Sequence, residues 1–114
     1  MANTIKIIVY PAKDLAASKA LYSKFLGVEP YVDGEYYVGF RNGEQEVGLD
    51  PYAHMSGVTA PIGYIEVSDI NGSLQSLLDA GAQVHQAPKD VGGGMLIATV
   101  KDADGNILGL RQLP

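Results

Sequence analysis

The sequence predicts an α+β fold: two tandem βαβββ modules forming a curved, largely antiparallel sheet with a concave cleft. Three observations predict it. The order strand, helix, strands runs through the chain twice. The helix-starting residues Asp14 and Ser18 recur as Asp69 and Ser73, each displaced by 69 − 14 = 73 − 18 = 55 positions. Both halves also end on an apolar strand carrying Gly-Leu, Gly48-Leu49 in the first and Gly109-Leu110 in the second. An internal repeat fixes architecture before any single element does. The expected organisation is one domain over residues 1–114, with modules at about 3–50 and 61–112 and a linker at about 51–60.

Each element has a local reason. TIKIIVY (residues 4–10) is rich in β-branched side chains and reads as a buried strand. Asp14 is a natural N-cap and Gly27 a natural stop. Between them Leu15, Ser18, Leu21, Tyr22, Phe25 and Leu26 recur at helical spacing. A short extra strand fits residues 28–32. EYYVGF and QEVGLD flank Asn42-Gly43, a strong hairpin signal. The pattern then restarts at Pro61. IGYIEVS reads as a strand, and Asp69 caps a helix carrying Ile70, Leu74, Leu77 and Leu78 as far as Gly81. QVHQ and MLIATVK are strands, Asp104-Gly105 is a second hairpin turn, and NILGLRQ is the last strand. The extra length of the second module falls in PKDVGGG, where an insertion costs little.

Strand alternation sorts two faces. Tyr36, Val38, Phe40, Val47 and Leu49 are expected under the first helix. Ile65, Val67, Leu96, Ala98, Val100, Leu108 and Leu110 are expected under the second. The opposite parity carries Tyr37, Arg41, Glu46, Gly48 and Asp50 in one module, and Tyr64, Glu66, Thr99, Lys101, Gly109 and Arg111 in the other. An apolar floor with a few charged and phenolic groups suits a binding cleft. The plainer reading of each charged residue is a solvated place on the rim.

Composition closes off several classes. The chain has 46% hydrophobic and 18% charged residues, which is the balance of a folded globule. It has no cysteine, so disulfides, thiolate metal sites and thiol catalysis are excluded. No apolar run is long enough to span a membrane, and the N-terminus does not read as a secretion signal, so a cytoplasmic protein is expected. A net charge of −5 argues against nucleic acid. His54 and His85 read as surface residues. Asp102-Ala103-Asp104-Gly105-Asn106 lacks the spacing of a calcium loop, and Gly92-Gly93-Gly94 lacks the Lys-Ser/Thr of a phosphate cradle. The glycines suit a flexible loop or a flap.

The doubled βαβββ pattern, DLAAS and DINGS at the helix starts, and D-x-D-G-N before the last strand together resemble the vicinal oxygen chelate superfamily. That superfamily includes glyoxalase I, extradiol dioxygenases, and fosfomycin- and bleomycin-resistance proteins. The resemblance implies four metal-ligand positions, two per module, which fall on Ile7, Gly48, Ile62 and Gly109. None carries a donor atom, whereas a divalent metal needs imidazole or carboxylate. The resemblance therefore implies a site with no metal and no cofactor.

Two functions from different classes follow. One is a metal-free small-molecule-binding protein of the bleomycin-resistance type. It would sequester a cationic or aromatic compound with Tyr37, Arg41, Glu46, Asp50, Tyr64, Glu66, Thr99, Lys101 and Arg111. The other is a metal-independent isomerase, epimerase or lyase, with Glu66 as general base and Arg111 or Lys101 holding an anionic substrate. In that reading the opposing possibility is that Glu66 pairs with Arg111 and is structural. A homodimer is expected, because an open sheet edge needs cover.

Overall fold

The computed structural model describes residues 3–114. The fold is α+β, and the chain separates into two compact units. One is Lys6–Ile62; the other is Gly63–Pro114 with the first described residues up to Ile5.

In the first unit the elements run β1 (Ile5–Pro11), α1 (Leu15–Leu26), β2 (Val32–Asp33), β3 (Val38–Asn42) and β4 (Gln45–Asp50). Strand order is β2-β3-β4-β1, with β1 parallel to β4 and the other neighbours antiparallel. Asp14 accepts from the Ala17 amide at 3.1 Å, and Gly27, at φ 71°, stops the helix. Val38, Phe40, Val47, Leu49 and Ala12 form the core, covered by Leu15, Tyr22 and Leu26 of α1. The alternation expected for these strands is therefore correct with one exception. Tyr36 lies ahead of β3, is 69% exposed, and stacks on Tyr52 at 6.0 Å between ring centroids instead of entering the core. Leu21 and Phe25 share the helical spacing but are 65% and 76% exposed, because α1 turns only part of its apolar surface inward. A 3-10 turn, Ala53–Ser56, follows β4.

The second unit repeats the plan with β5 (Ile62–Glu66), α2 (Ile70–Asp79), β6 (Gln83–Asp90), β7 (Leu96–Lys101) and β8 (Ile107–Gln112). Strand order is β5-β8-β7-β6, with β5 parallel to β8. Asp69 caps α2 through the Gly72 amide at 3.1 Å, and the Gln112 side chain accepts from the Ile70 amide at 2.8 Å, tying the last strand to the helix start. Ile70, Ala98 and Leu110 are the buried core, with Ile65, Val67, Leu74, Leu77 and Leu96 packed on it. Leu108, expected under the helix, is 45% exposed, since it sits near the hairpin end of β8 outside that cluster.

β6 is longer than QVHQ. It runs through Pro88 and Lys89 with two register shifts against β7. The glycines 92–94 close its hairpin, all at positive φ (124°, 64° and 87°), with Val91 and Met95 bonded across the turn. This is an ordered turn in which three residues adopt backbone conformations that glycine tolerates best. No helix among the described residues is long and apolar enough to cross a membrane.

Candidate functional site

In the first unit, β3 and β4 place Gly39 opposite Gly48 and Arg41 opposite Glu46, all on the face away from α1. Tyr37, two residues before Gly39, leans across that glycine pair. A Cβ on Gly48 would stand 2.6 Å from Tyr37 Cζ, and one on Gly39 would stand 3.2 Å from Tyr37 Cε2. Only glycine lets the phenol approach the backbone this closely. Tyr31 completes the arrangement. Its Cε1 is also 3.2 Å from a Cβ placed on Gly39, and its hydroxyl donates to the Glu46 carboxylate at 2.6 Å. The Arg41 guanidinium lies 4.1 Å above the Tyr31 ring and 3.9 Å from Glu46. Burial, then the bond to Glu46 and its charge, push the Tyr31 hydroxyl above the ordinary tyrosine range. Asp50, at the end of β4, accepts from the Tyr52 amide at 2.8 Å and so shapes its own turn.

In the second unit, Thr99, Gly109 and Tyr64 form one cross-strand row over β7, β8 and β5. The Tyr64 ring lies over Gly109: a Cβ there would stand 2.6 Å from Tyr64 Cγ and closer still to Cδ2 and Cε2. The next row joins Ile97, Arg111 and Glu66. Arg111 donates to Glu66 at 2.5 Å, with side chains 10% and 31% exposed. Thr99 is buried, and its hydroxyl is 2.8 Å from His85 Nδ1, the direction of the bond depending on the histidine tautomer. Lys101 is exposed at the hairpin end of β7.

Of the residues expected from the sequence, Tyr37, Arg41 and Glu46 come together in one unit, as do Tyr64, Glu66, Thr99 and Arg111 in the other. Asp50 and Lys101 stand apart from those clusters. Two participants were not expected. His85, read as a surface residue, is half-buried on Thr99. The available signal was alternation from Gln83, the register partner of Lys101. Tyr31 precedes β2 and no periodicity marks it. His54 is exposed, as expected.

At the four positions that the family resemblance assigns to metal ligands, the residues do not fit a metal. Ile7 and Ile62 are buried apolar side chains, and the space above Gly48 and Gly109 is taken by tyrosine. Among the described residues, no three histidine or acidic side chains gather into a metal-holding group. A cavity of about 340 Å3 lies elsewhere, on the helix side of the second unit. Ser68, Ser73, Ser76 and Leu77 line it together with Asp69, whose carboxylate already occupies the start of α2.

Comparison with known proteins bears on the fold. The chain is similar to a structure described as an NAD-dependent benzaldehyde dehydrogenase from Legionella pneumophila (16% identity, 95% of this chain and 98% of that one, TM-score 0.78). It is similar to a glyoxalase/bleomycin resistance protein/dioxygenase superfamily member from Vibrio splendidus 12B01 (16%, 97% and 98%, TM-score 0.73). It is also similar to methylmalonyl-CoA epimerase from Mycobacterium tuberculosis (14%, 100% and 93%, TM-score 0.69). These names differ in chemistry, and at such identities the likeness speaks for the fold alone. No curated protein matches the chain. The family model for the Glyoxalase/Bleomycin resistance protein/Dioxygenase superfamily matches residues 4–110. The chain belongs to that superfamily.

Proposed function

We propose that this protein is a metal-free member of its superfamily that binds and sequesters a small molecule on its tyrosine-bearing faces. The observation that carries the reading is the partly open Tyr37 ring over Gly48, paralleled by the buried Tyr64 ring over Gly109. Two positions where the superfamily resemblance puts metal ligands instead lie under tyrosine rings, buried at Tyr64 and partly open at Tyr37, and the open ring favours stacking over coordination. The enzyme reading needs Glu66 as a base, but its carboxylate is engaged by Arg111, which supports the structural role for that pair. A single cytoplasmic domain that pairs as a homodimer belongs to the same proposal. The exposed Leu21 and Phe25 on α1 give a dimer an apolar patch to cover.

Native mass spectrometry of the purified protein tests this reading, because subunit count and co-purified mass are read together. A dimer that is bare or carries an organic mass is expected. A dimer retaining one divalent metal per chain would replace the binder with a metalloenzyme. Turnover of a bound compound that disappears in Glu66→Gln would move the reading to the carboxylate-dependent enzyme.

A further inference from the structure

We propose that the ligand seated on the Tyr31–Tyr37 platform of the first unit is an uncharged planar aromatic molecule. The proposal rests on the small-molecule reading above and narrows its ligand class. Two observations carry it. The first is the platform itself. Both phenols meet the backbone at the Gly39–Gly48 window, and apolar Val9 is the register partner of Gly48 on β1. Tyr31 is 45% exposed and Tyr37 half-buried, so aromatic surface is present and partly open.

The second observation is that the platform's charges already answer one another. Glu46 accepts from the Tyr31 hydroxyl at 2.6 Å and lies 3.9 Å from Arg41, while Arg41 rests on the Tyr31 ring at 4.1 Å. One carboxylate and one guanidinium leave the platform with no net charge. A cationic ligand drawn to Glu46 would also face the Arg41 guanidinium, 3.9 Å from that carboxylate. An anionic ligand drawn to Arg41 would in turn face the Glu46 carboxylate. Either charge meets a repulsion beside its attraction and gains little net. An uncharged ring system gains apolar burial and stacking without disturbing either group. The acid excess of the whole chain, which by itself suggests a cationic ligand, is therefore not expressed at this face.

Three probes built on one bicyclic skeleton separate the possibilities: 2-naphthol, uncharged at neutral pH, the 2-naphthoate anion and the N-methylquinolinium cation. Each is titrated into the full-length protein and followed by calorimetry and backbone amide NMR. 2-Naphthol is expected to bind at least about tenfold more tightly than either charged probe. Its affinity should not change with salt, and the largest amide shifts should fall at Gly39 and Gly48. Tyr37→Leu should weaken it about tenfold, and Tyr31→Leu, at a more exposed position, supplies the same comparison if the first variant unfolds. Tyr31→Phe keeps the ring but releases Glu46, so the cation should gain on 2-naphthol in that variant. A charged probe that matches or exceeds 2-naphthol in the unaltered protein overturns the inference and leaves the binder reading standing. Shifts confined to residues away from Gly39 and Gly48 also overturn the inference alone. Silence from all three probes overturns the inference and counts against the binder reading itself.

Discussion

Tyr64 on β5 and Gly109 on β8 are register partners in parallel strands, and the tyrosine ring lies on the glycine where a side chain would otherwise rise from the sheet. The contact involves Cγ and Cδ2, atoms close to the ring's point of attachment, so the ring cannot clear a new methyl by swinging its tip. Gly109→Ala is therefore expected to cost about 2–3 kcal/mol through overpacking. Denaturant unfolding measures it, and Tyr64→Ala in the same chain should recover part of the loss through the coupling of the two sites.

Gly48→Ala tests the same device in its milder form. There the nearest atoms are the hydroxyl and Cζ of Tyr37, the far end of a side chain that can rotate away. The expected cost is under about 1 kcal/mol. Equal losses at Gly48 and Gly109 would mean that the position of the contact along the ring does not matter.

Glu66→Leu should destabilise the protein by about 3 kcal/mol, because it leaves the largely buried Arg111 guanidinium without its 2.5 Å carboxylate. The partial exposure of Glu66 keeps the value at the lower end for a broken buried pair. Thermal and denaturant unfolding should agree on it.

Tyr31 should titrate late. Burial and its bond to Glu46 favour the protonated phenol in the folded chain, so its phenolate absorbance should appear above the ordinary tyrosine range and move back toward it in Glu46→Gln. The sign for stability follows from the raised folded value. The contribution is complete below the unfolded tyrosine pKa and is lost as pH rises through the folded one. Stability of the unaltered protein should thus fall more steeply than that of Tyr31→Phe in the alkaline range.

Gly92→Ala should cost about 1–3 kcal/mol, since φ 124° lies outside the left-handed region open to other residues. Gly93→Ala, at φ 64°, should cost about 1 kcal/mol. Unfolding of the two variants side by side checks that the turn is ordered. Equal, near-zero effects would restore the flexible loop.

The sequence made the elements legible where one physical signal dominated. Asp14 and Asp69 marked both helix starts because capping is local, and Val38, Phe40, Val47 and Leu49 fell inside because strand alternation is strict within a strand. Tyr36 and Leu108 were misplaced where that rule was carried to strand ends, beyond the cover of the helices. Leu21 and Phe25 had helical spacing, but spacing does not say how wide a stripe the sheet will cover. At the site, Gly48 and Gly109 were visible as missing side chains, whereas the rings that fill their places were not. Tyr37 reaches its glycine from just ahead of β3 and Tyr64 from a parallel strand distant in sequence, so no common spacing marks the pair. Tyr31 and His85 became participants only through contacts across strands.

The most direct measurement is metal content and metal affinity of the intact protein. The purified chain would be dialysed against manganese, cobalt, nickel and zinc, then analysed for bound metal while its melting temperature is followed. With tyrosine over both glycines and isoleucine at the other two positions, no stoichiometric metal and no rise in melting temperature are predicted. One tightly held metal per chain, with a matching rise in melting temperature, would contradict the account.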